Sequence, residues 1–149
     1  MSYNHLMAVL PHASVSMFTP AGPEIEGVYD AISYRAEGPS VTQHGPHVLL
    51  VDPTLMSLDE RVLGRVEGAV AVAVSGVSDT YIIQRFGSAP RLRVQSQGEL
   101  VEDQGHPLVA EAALAGEEFP EDSHFAVFAA LTGLWLNDLD TMKWTPIQI

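Results

Sequence analysis

Two histidines beside a Gly-Pro turn come closest to a metal-site pattern in this chain. His44 and His47 flank Gly45-Pro46, and Asp52 follows further along. Imidazole nitrogens and carboxylate oxygens bind divalent metals, so these three side chains could support a small metal-assisted enzyme if they converged. The spacing lacks the density of ligands that marks a metal site. The simplest interpretation is a pair of surface histidines, and we predict no metal and no cofactor.

Serine and paired carboxylates are the other groups that could do catalysis. The segment Gly76-Val77-Ser78-Asp79-Thr80 lacks the second glycine of a nucleophile elbow, and its residue types are those of an ordinary turn. Glu102 and Asp103 are adjacent, so in a strand their side chains would point to opposite faces and could not form a dyad. The chain contains no cysteine, which removes thiolate chemistry. We therefore predict no catalytic residues and no enzyme activity.

Charge is distributed unevenly along the chain. The 49 residues between Arg93 and Lys143 contain ten carboxylates and no lysine or arginine, and the net charge is −12. A field of one sign steers partners of the opposite sign. It disfavours nucleic acid and anionic membranes as direct ligands. The sequence therefore predicts a basic protein as the partner.

We predict that this partner contacts acidic side chains around an aromatic anchor, because charges steer association and aromatic residues dominate binding energy. The acids also fit a solvated strand end, a loop and a helix start, and the apolar tail around Trp135 and Trp144 also fits a cover for the sheet. The predicted contact residues are the acids Glu99, Glu102, Asp103, Glu117, Glu118, Glu121 and Asp122, here called the predicted acidic surface, together with Trp135.

Length and composition indicate one globular domain over residues 1–149. Hydrophobic residues make up 46% of the chain and charged residues 17%, which is too apolar for disorder. No apolar run approaches the roughly 18 residues of a membrane span. The N-terminus has no basic region before its short apolar run, so it is a poor secretory signal. We expect a cytoplasmic protein.

Short apolar runs separated by turn residues predict an α+β fold, an antiparallel meander sheet with two helices packed on it. Ser57 and Glu60 fit a capping box, which predicts a helix from about Leu58 to Glu67. Residues 121–123 open a second helix that ends at Thr132-Gly133, and 109–115 could hold a short helical stretch. The predicted strands are 47–51, 69–74, 80–86, 91–95 and 99–102, while 6–10, 15–18 and 28–34 are each a strand or a single helical turn.

The stretch from Arg91 to Glu111 also carries a resemblance. Its core is G-x-x-x-E-D-x-G-x-P-L over Gly98 to Leu108, followed by a helix that ends in Leu131-Thr132-Gly133-Leu134. This arrangement resembles small uncharacterised actinobacterial proteins of unknown function, over about a third of the chain. The resemblance implies an α+β fold and a bacterial or phage origin. It implies no activity, so no catalytic residues carry over.

Three functional hypotheses follow. The first is a non-enzymatic interaction protein of the immunity-protein or inhibitor type, which binds a basic partner through its acidic residues. The second is a subunit of a homo-oligomeric or phage structural assembly, because an apolar tail and a Pro/Gly-rich N-terminal arm can exchange between neighbours. The third is the small metal-assisted enzyme described above.

Overall fold

One antiparallel sheet organises the protein. The computed structural model describes residues 4–33 and 36–148, so Tyr34 and Ile149, which end two predicted apolar segments, lie outside the described residues. Nine strands are present in the described ranges. They are β1 Asn4–Leu10, β2 Ile25–Glu26, β3 Ser40–His44, β4 His47–Asp52, β5 Val70–Ser75, β6 Thr80–Arg85, β7 Arg91–Ser96, β8 Glu99–Gln104 and β9 Lys143–Pro146.

The first strand lies near the middle of the sheet. The strand order is β2-β9-β3-β4-β1-β5-β6-β7-β8, and each neighbouring pair is antiparallel. Residues of β1 are buried on both faces, which is why its sequence is an almost continuous apolar run. Strands β5 to β8 form a sequential meander that ends in β8 at one edge of the sheet.

Each face of the sheet carries its own hydrophobic core. On one face, here the helix face, Met7, Val72 and Ile83 pack with Phe128. The opposite face, here the loop face, is covered by Leu63 and its neighbours from the segment 55–66, and by Met17 and Phe18. The helical elements are α1 Val28–Ala31, α2 Pro120–Thr132, α3 Leu136–Leu139 and the 3₁₀ helices Val15–Met17, Leu63–Arg65 and Val109–Gly116.

Helix α2 confirms the second helix predicted from the sequence, with one change at its start. Pro120 occupies the first turn and Phe119 the N-cap, so the capping residue precedes the predicted start at 121–123 and is not Ser123. The Ser123 hydroxyl instead donates to the Pro120 carbonyl at 2.8 Å. Gly133 ends the helix in the left-handed conformation that glycine favours. Seven consecutive residues of α2 are buried, which fits a helix packed on a sheet.

The α+β fold with an antiparallel meander is confirmed, and the strand predictions from residue 47 onward match β4 to β8 closely. The prediction of a helix from Leu58 to Glu67 is wrong. That segment contains turns and one short 3₁₀ helix, Leu63–Arg65. The Ser57 hydroxyl donates to Asp52 instead of accepting from Glu60, so no capping box forms. Leu63 and Val66 are buried on the loop face, so their apolar character reflects this burial and not one side of a helix.

The apolar tail packs on its own domain. Trp144 is fully buried in β9, and its indole N–H donates to the Leu139 carbonyl at 3.2 Å. Ile147 is also buried, and its backbone N–H donates to the Pro39 carbonyl. The tail therefore completes the sheet on the side of β2 and β3, as the alternative interpretation of this segment expected.

Candidate functional site

The structure does not bring the three candidate metal ligands together. His44 and His47 lie opposite each other at the tip of the β3–β4 hairpin. Asp52 is at the other end of β4, about 16 Å away at the usual rise per strand residue. The His47 Nδ1 accepts a hydrogen bond from the His12 N–H at 3.2 Å, which occupies that nitrogen. Across residues 4–33 and 36–148, no group of three or more His, Asp or Glu side chains could hold a metal ion.

A cavity beside the two histidines is small. It measures about 270 Å³ and lies between the hairpin tip and the C-terminal end of α2, with Val9, Leu49 and Leu131 in its lining. Ligand pockets generally start at about 300 Å³. The cavity therefore adds little to the enzyme hypothesis.

Asp52 has a structural role at the start of the loop that covers one core. The side chain is fully buried, and each carboxylate oxygen accepts two hydrogen bonds. Oδ1 accepts from the N–H and hydroxyl of Thr54 at 2.8 and 2.6 Å. Oδ2 accepts from the N–H and hydroxyl of Ser57 at 2.8 and 2.6 Å. These four bonds fix the chain as it leaves β4 and turns onto the loop face.

We expect Asp52→Ala to lower the free energy of unfolding by about 2 kcal/mol, because it leaves the buried polar groups of Ser57 without an acceptor. Denaturant titration measures the change. Asp59→Ala is the matched control in the same loop, since the Asp59 carboxylate pairs with the exposed Arg61 at the surface. Equal losses in the two variants would contradict the role assigned to Asp52.

The serine-containing hairpin turn also has a structural explanation. The Ser78 hydroxyl donates to the Ser75 Oγ at 2.7 Å, and the Ser75 hydroxyl donates to the Asn4 Oδ1 at 3.0 Å. This chain of polar contacts ties the β5–β6 turn to the start of β1. The Ser78 hydroxyl is bonded within the turn, and the Ser75 hydroxyl is bonded to the neighbouring strand β1.

Strand β8 is the most exposed strand of the sheet. All six of its residues are exposed, although its partner β7 is largely half-buried. Leu100 and Val101 are 50% and 52% exposed, which is unusual for apolar strand residues. The strand also carries three residues of the predicted acidic surface, Glu99, Glu102 and Asp103. Apolar and acidic side chains are therefore presented together at one edge of the sheet.

A β-bulge determines which way these acids point. Glu99 pairs with Ser96 and Glu102 with Val94, and the register shifts between these pairs. Because Ser96 and Val94 are two residues apart on β7, Glu99 and Glu102 share one face, the loop face. Asp103 is on the helix face, so Glu102 and Asp103 point to opposite sides as predicted.

Arg91 connects β8 to the 3₁₀ helix Val109–Gly116. Its guanidinium, only 3% exposed, forms a salt bridge with Asp103 of β8. It also donates to both carboxylate oxygens of Glu111, at 3.0 and 2.8 Å. The Leu108 N–H adds a further hydrogen bond to Glu111 at 2.6 Å. The hydrogen bonds that Arg91 donates to Glu111 and Asp103 raise the pKa of Arg91. Burial raises the pKa of Glu111, but the hydrogen bonds that it accepts from Arg91 and Leu108 oppose this effect, and the net result is a lowered pKa.

Further acids gather at the end of the sheet where two hairpin turns meet. The Gln97 N–H donates to the Asp79 carbonyl at 2.9 Å, which joins the β7–β8 turn to the β5–β6 turn. Burial and the nearby charges of Asp79 and Glu121 raise the pKa of Tyr81 to about 12. Glu99 follows the β7–β8 turn. Acids from two turns and from the first turn of α2 therefore lie near one end of the sheet.

The remaining predicted contact residues are at the surface. Glu117 and Glu118 are exposed in the link between the 3₁₀ helix and α2, and Asp122 is exposed in the first turn of α2. Trp135 is 51% exposed at the N-cap of α3, and its backbone N–H donates to Asp138 at 2.9 Å. Trp135 therefore follows the C-terminal end of α2, whereas Glu117, Glu118 and Asp122 lie before α2 or in its first turn, so the aromatic anchor and these acids belong to opposite ends of that helix.

Two histidines are buried on the helix face between α2 and the sheet. His5 stacks on Phe125 with ring centroids 5.5 Å apart, and His124 stacks on Tyr81 at 5.0 Å. Burial lowers the pKa of His5 to about 4 and also lowers the pKa of His124. The His124 Nδ1 donates to the Pro120 carbonyl at 2.6 Å. Its buried Nε2 has no hydrogen-bond partner among the described residues.

Arg91, Glu111 and the two buried histidines were not among the site residues predicted from the sequence. One signal was available for Arg91. Side-chain alternation along a strand puts Tyr81, Ile83 and Arg85 on one face of β6, and the register of β6 with β7 extends that face to Arg91. No comparable signal pointed to His5, because its position among apolar residues depends on α2, which is distant in the sequence.

No protein-family model, curated protein sequence or solved structure matches this chain. Among the residues that the structure describes, no helix is both long and apolar enough to cross a membrane.

Proposed function

We propose that this protein is a non-enzymatic, cytoplasmic interaction protein whose acidic surface binds a basic protein, in the manner of an immunity protein or an inhibitor. Nucleic acid and anionic membranes are not the ligands in this proposal, because both repel an acidic surface. No cofactor takes part. Trp135 is an additional exposed aromatic side chain that a partner could contact.

One observation carries the proposal. Arg91, which forms a salt bridge with Asp103 of the predicted acidic surface, is buried and is also held by Glu111. Its charge acts inside the protein and is hidden from solvent. Glu99 and Glu102 are exposed, and between Arg93 and Lys143 the sequence supplies no lysine or arginine to offset them. The outward field of this region is therefore negative, which favours fast association with a basic partner.

The structure changes the support for the two alternatives. Trp144 and Ile147 are buried in their own domain, so the part of the tail that remains exposed for an assembly contact is mainly Trp135. The metal-assisted enzyme required His44, His47 and Asp52 to converge, and they are at opposite ends of β4.

Affinity capture followed by titration tests the proposal. The immobilised protein is incubated with a lysate of the source cells at low and high salt, and bound proteins are identified by mass spectrometry. We expect a basic protein whose affinity falls at least about tenfold at high salt, because exposed charges are screened. The purified candidate is then titrated against a charge variant, Glu117→Gln/Glu118→Gln/Asp122→Asn, which we expect to bind more weakly.

The matched control is Glu24→Gln/Glu26→Gln, which removes exposed acids at the opposite edge of the sheet. It should bind as tightly as the unmodified protein. Affinity that does not change with salt, or that both variants reduce equally, would show that the acidic surface is not the binding site. Recovery of the protein itself as a defined oligomer would favour the assembly hypothesis.

A further inference from the structure

We propose that β8 binds its partner by strand addition, with a basic, extended segment of the partner pairing along the outer edge of Glu99–Gln104. This inference rests on the proposed function and specifies how the acidic protein would bind. Strand addition is a common mode of recognition in which main-chain hydrogen bonds provide affinity and alternate side chains provide specificity.

The edge of β8 is open. β7 pairs with one side of the strand, and no other strand pairs with β8 among residues 4–33 and 36–148. In an antiparallel ladder, about every second residue directs its N–H and C=O away from its partner strand. Gln97-Gly98 is a two-residue turn with positive φ angles of 51° and 81°, so Ser96 and Glu99 form the closing pair. Leu100, the next residue, therefore directs its backbone groups outward.

The side chains of β8 select the charge of the incoming strand. Glu99 and Glu102 share the loop face because of the bulge, and no cation in the described residues neutralises either carboxylate through a salt bridge. A second copy of β8 would place acids beside acids, which is unfavourable across strands. Charged edge strands commonly prevent self-pairing in this way. A lysine-rich or arginine-rich strand would instead place cations beside Glu99 and Glu102. The exposed side chains of Leu100 and Val101 offer such a strand apolar contacts.

Length distinguishes this edge from the opposite one. β8 has six residues, whereas the other terminal strand, β2, has two. The bond between Arg91 and Asp103 also fixes β8 to the rest of the fold before any partner arrives, which reduces the entropy lost on binding.

Short peptides test the inference with the intact protein. The probe is a fluorescently labelled peptide in which lysine alternates with valine, long enough to span β8. A second peptide has the same sequence with N-methyl groups on alternate residues, which keeps the charge and removes the donors of one edge. We expect the first peptide to bind with salt-dependent affinity and the methylated peptide to bind about tenfold or more weakly, because several main-chain hydrogen bonds are lost.

Two variants locate the binding. Leu100→Pro removes an outward N–H, a change that edge strands tolerate, and we expect about tenfold weaker peptide binding with the fold retained by circular dichroism. Glu99→Gln/Glu102→Gln should also weaken binding, while Glu24→Gln/Glu26→Gln should not.

Equal affinity for both peptides, lost at high salt, would overturn strand addition and leave the acidic binding surface in place. No binding of either peptide at about 1 mM would also overturn the inference. Should Leu100→Pro unfold, the comparison of the two peptides on the unmodified protein still decides the question. Failure of the proposed function is recognised separately, as the absence of a salt-sensitive basic partner in the capture experiment.

Discussion

Arg91→Ala is expected to lower the free energy of unfolding by about 3 to 5 kcal/mol. The substitution leaves Glu111, whose side chain is 8% exposed, without the cation that holds both of its oxygens. Breaking a buried ion pair by removing one partner costs this much because a buried charge is left uncompensated. Urea unfolding measures the loss, and hydrogen exchange should show faster opening of β8 and the 3₁₀ helix Val109–Gly116.

Two comparisons isolate the cause. Arg61→Ala removes an arginine that is 90% exposed and pairs with Asp59 at the surface, so it should change stability little. Arg91→Met/Glu111→Leu removes both buried charges and should be more stable than Arg91→Ala. If the double variant were as unstable as the single one, lost packing and not an unpaired carboxylate would explain the effect.

Acid should destabilise the protein through the buried imidazole of His5. The pKa of His5 is about 4 in the folded protein and near 6.5 when exposed, so the unfolded state takes up the proton first. Stability is therefore lost as the pH falls from about 6.5 towards 4, by roughly 3 kcal/mol for this residue. His124, whose pKa is also lowered by burial, acts in the same direction.

The variant His5→Phe separates this contribution from the rest. It keeps an aromatic ring against Phe125 and removes the titrating group, so its stability should fall less than that of the unmodified protein between pH 6.5 and 4.5. Glu111, whose pKa is lowered, loses its contribution only at lower pH, as its carboxylate becomes protonated. His106→Gln, at an exposed position, is the control and should leave the pH dependence unchanged. Parallel pH profiles for His5→Phe and the unmodified protein would contradict the prediction.

Much of the fold could be predicted from the sequence because it depends on local patterns. The residue patterns along 80–86, 91–95 and 99–102 predicted the three strands that became β6, β7 and β8 of the meander. The helix predicted at 58–67 shows where local patterns are insufficient. Its capping residue, Ser57, bonds to Asp52 in a preceding strand, and this buried contact competes successfully with the capping box.

The sequence by itself determined the α+β class, the meander and the long segment without positive charge. Only the tertiary structure placed β1 in the middle of the sheet, joined Arg91 to Glu111, and stacked His5 on Phe125. It also turned Glu99 and Glu102 to one face through the bulge in β8. The physical reason is sequence separation. Local propensity depends on neighbouring residues, whereas these contacts depend on strand register and on the packing of elements that are distant in the chain.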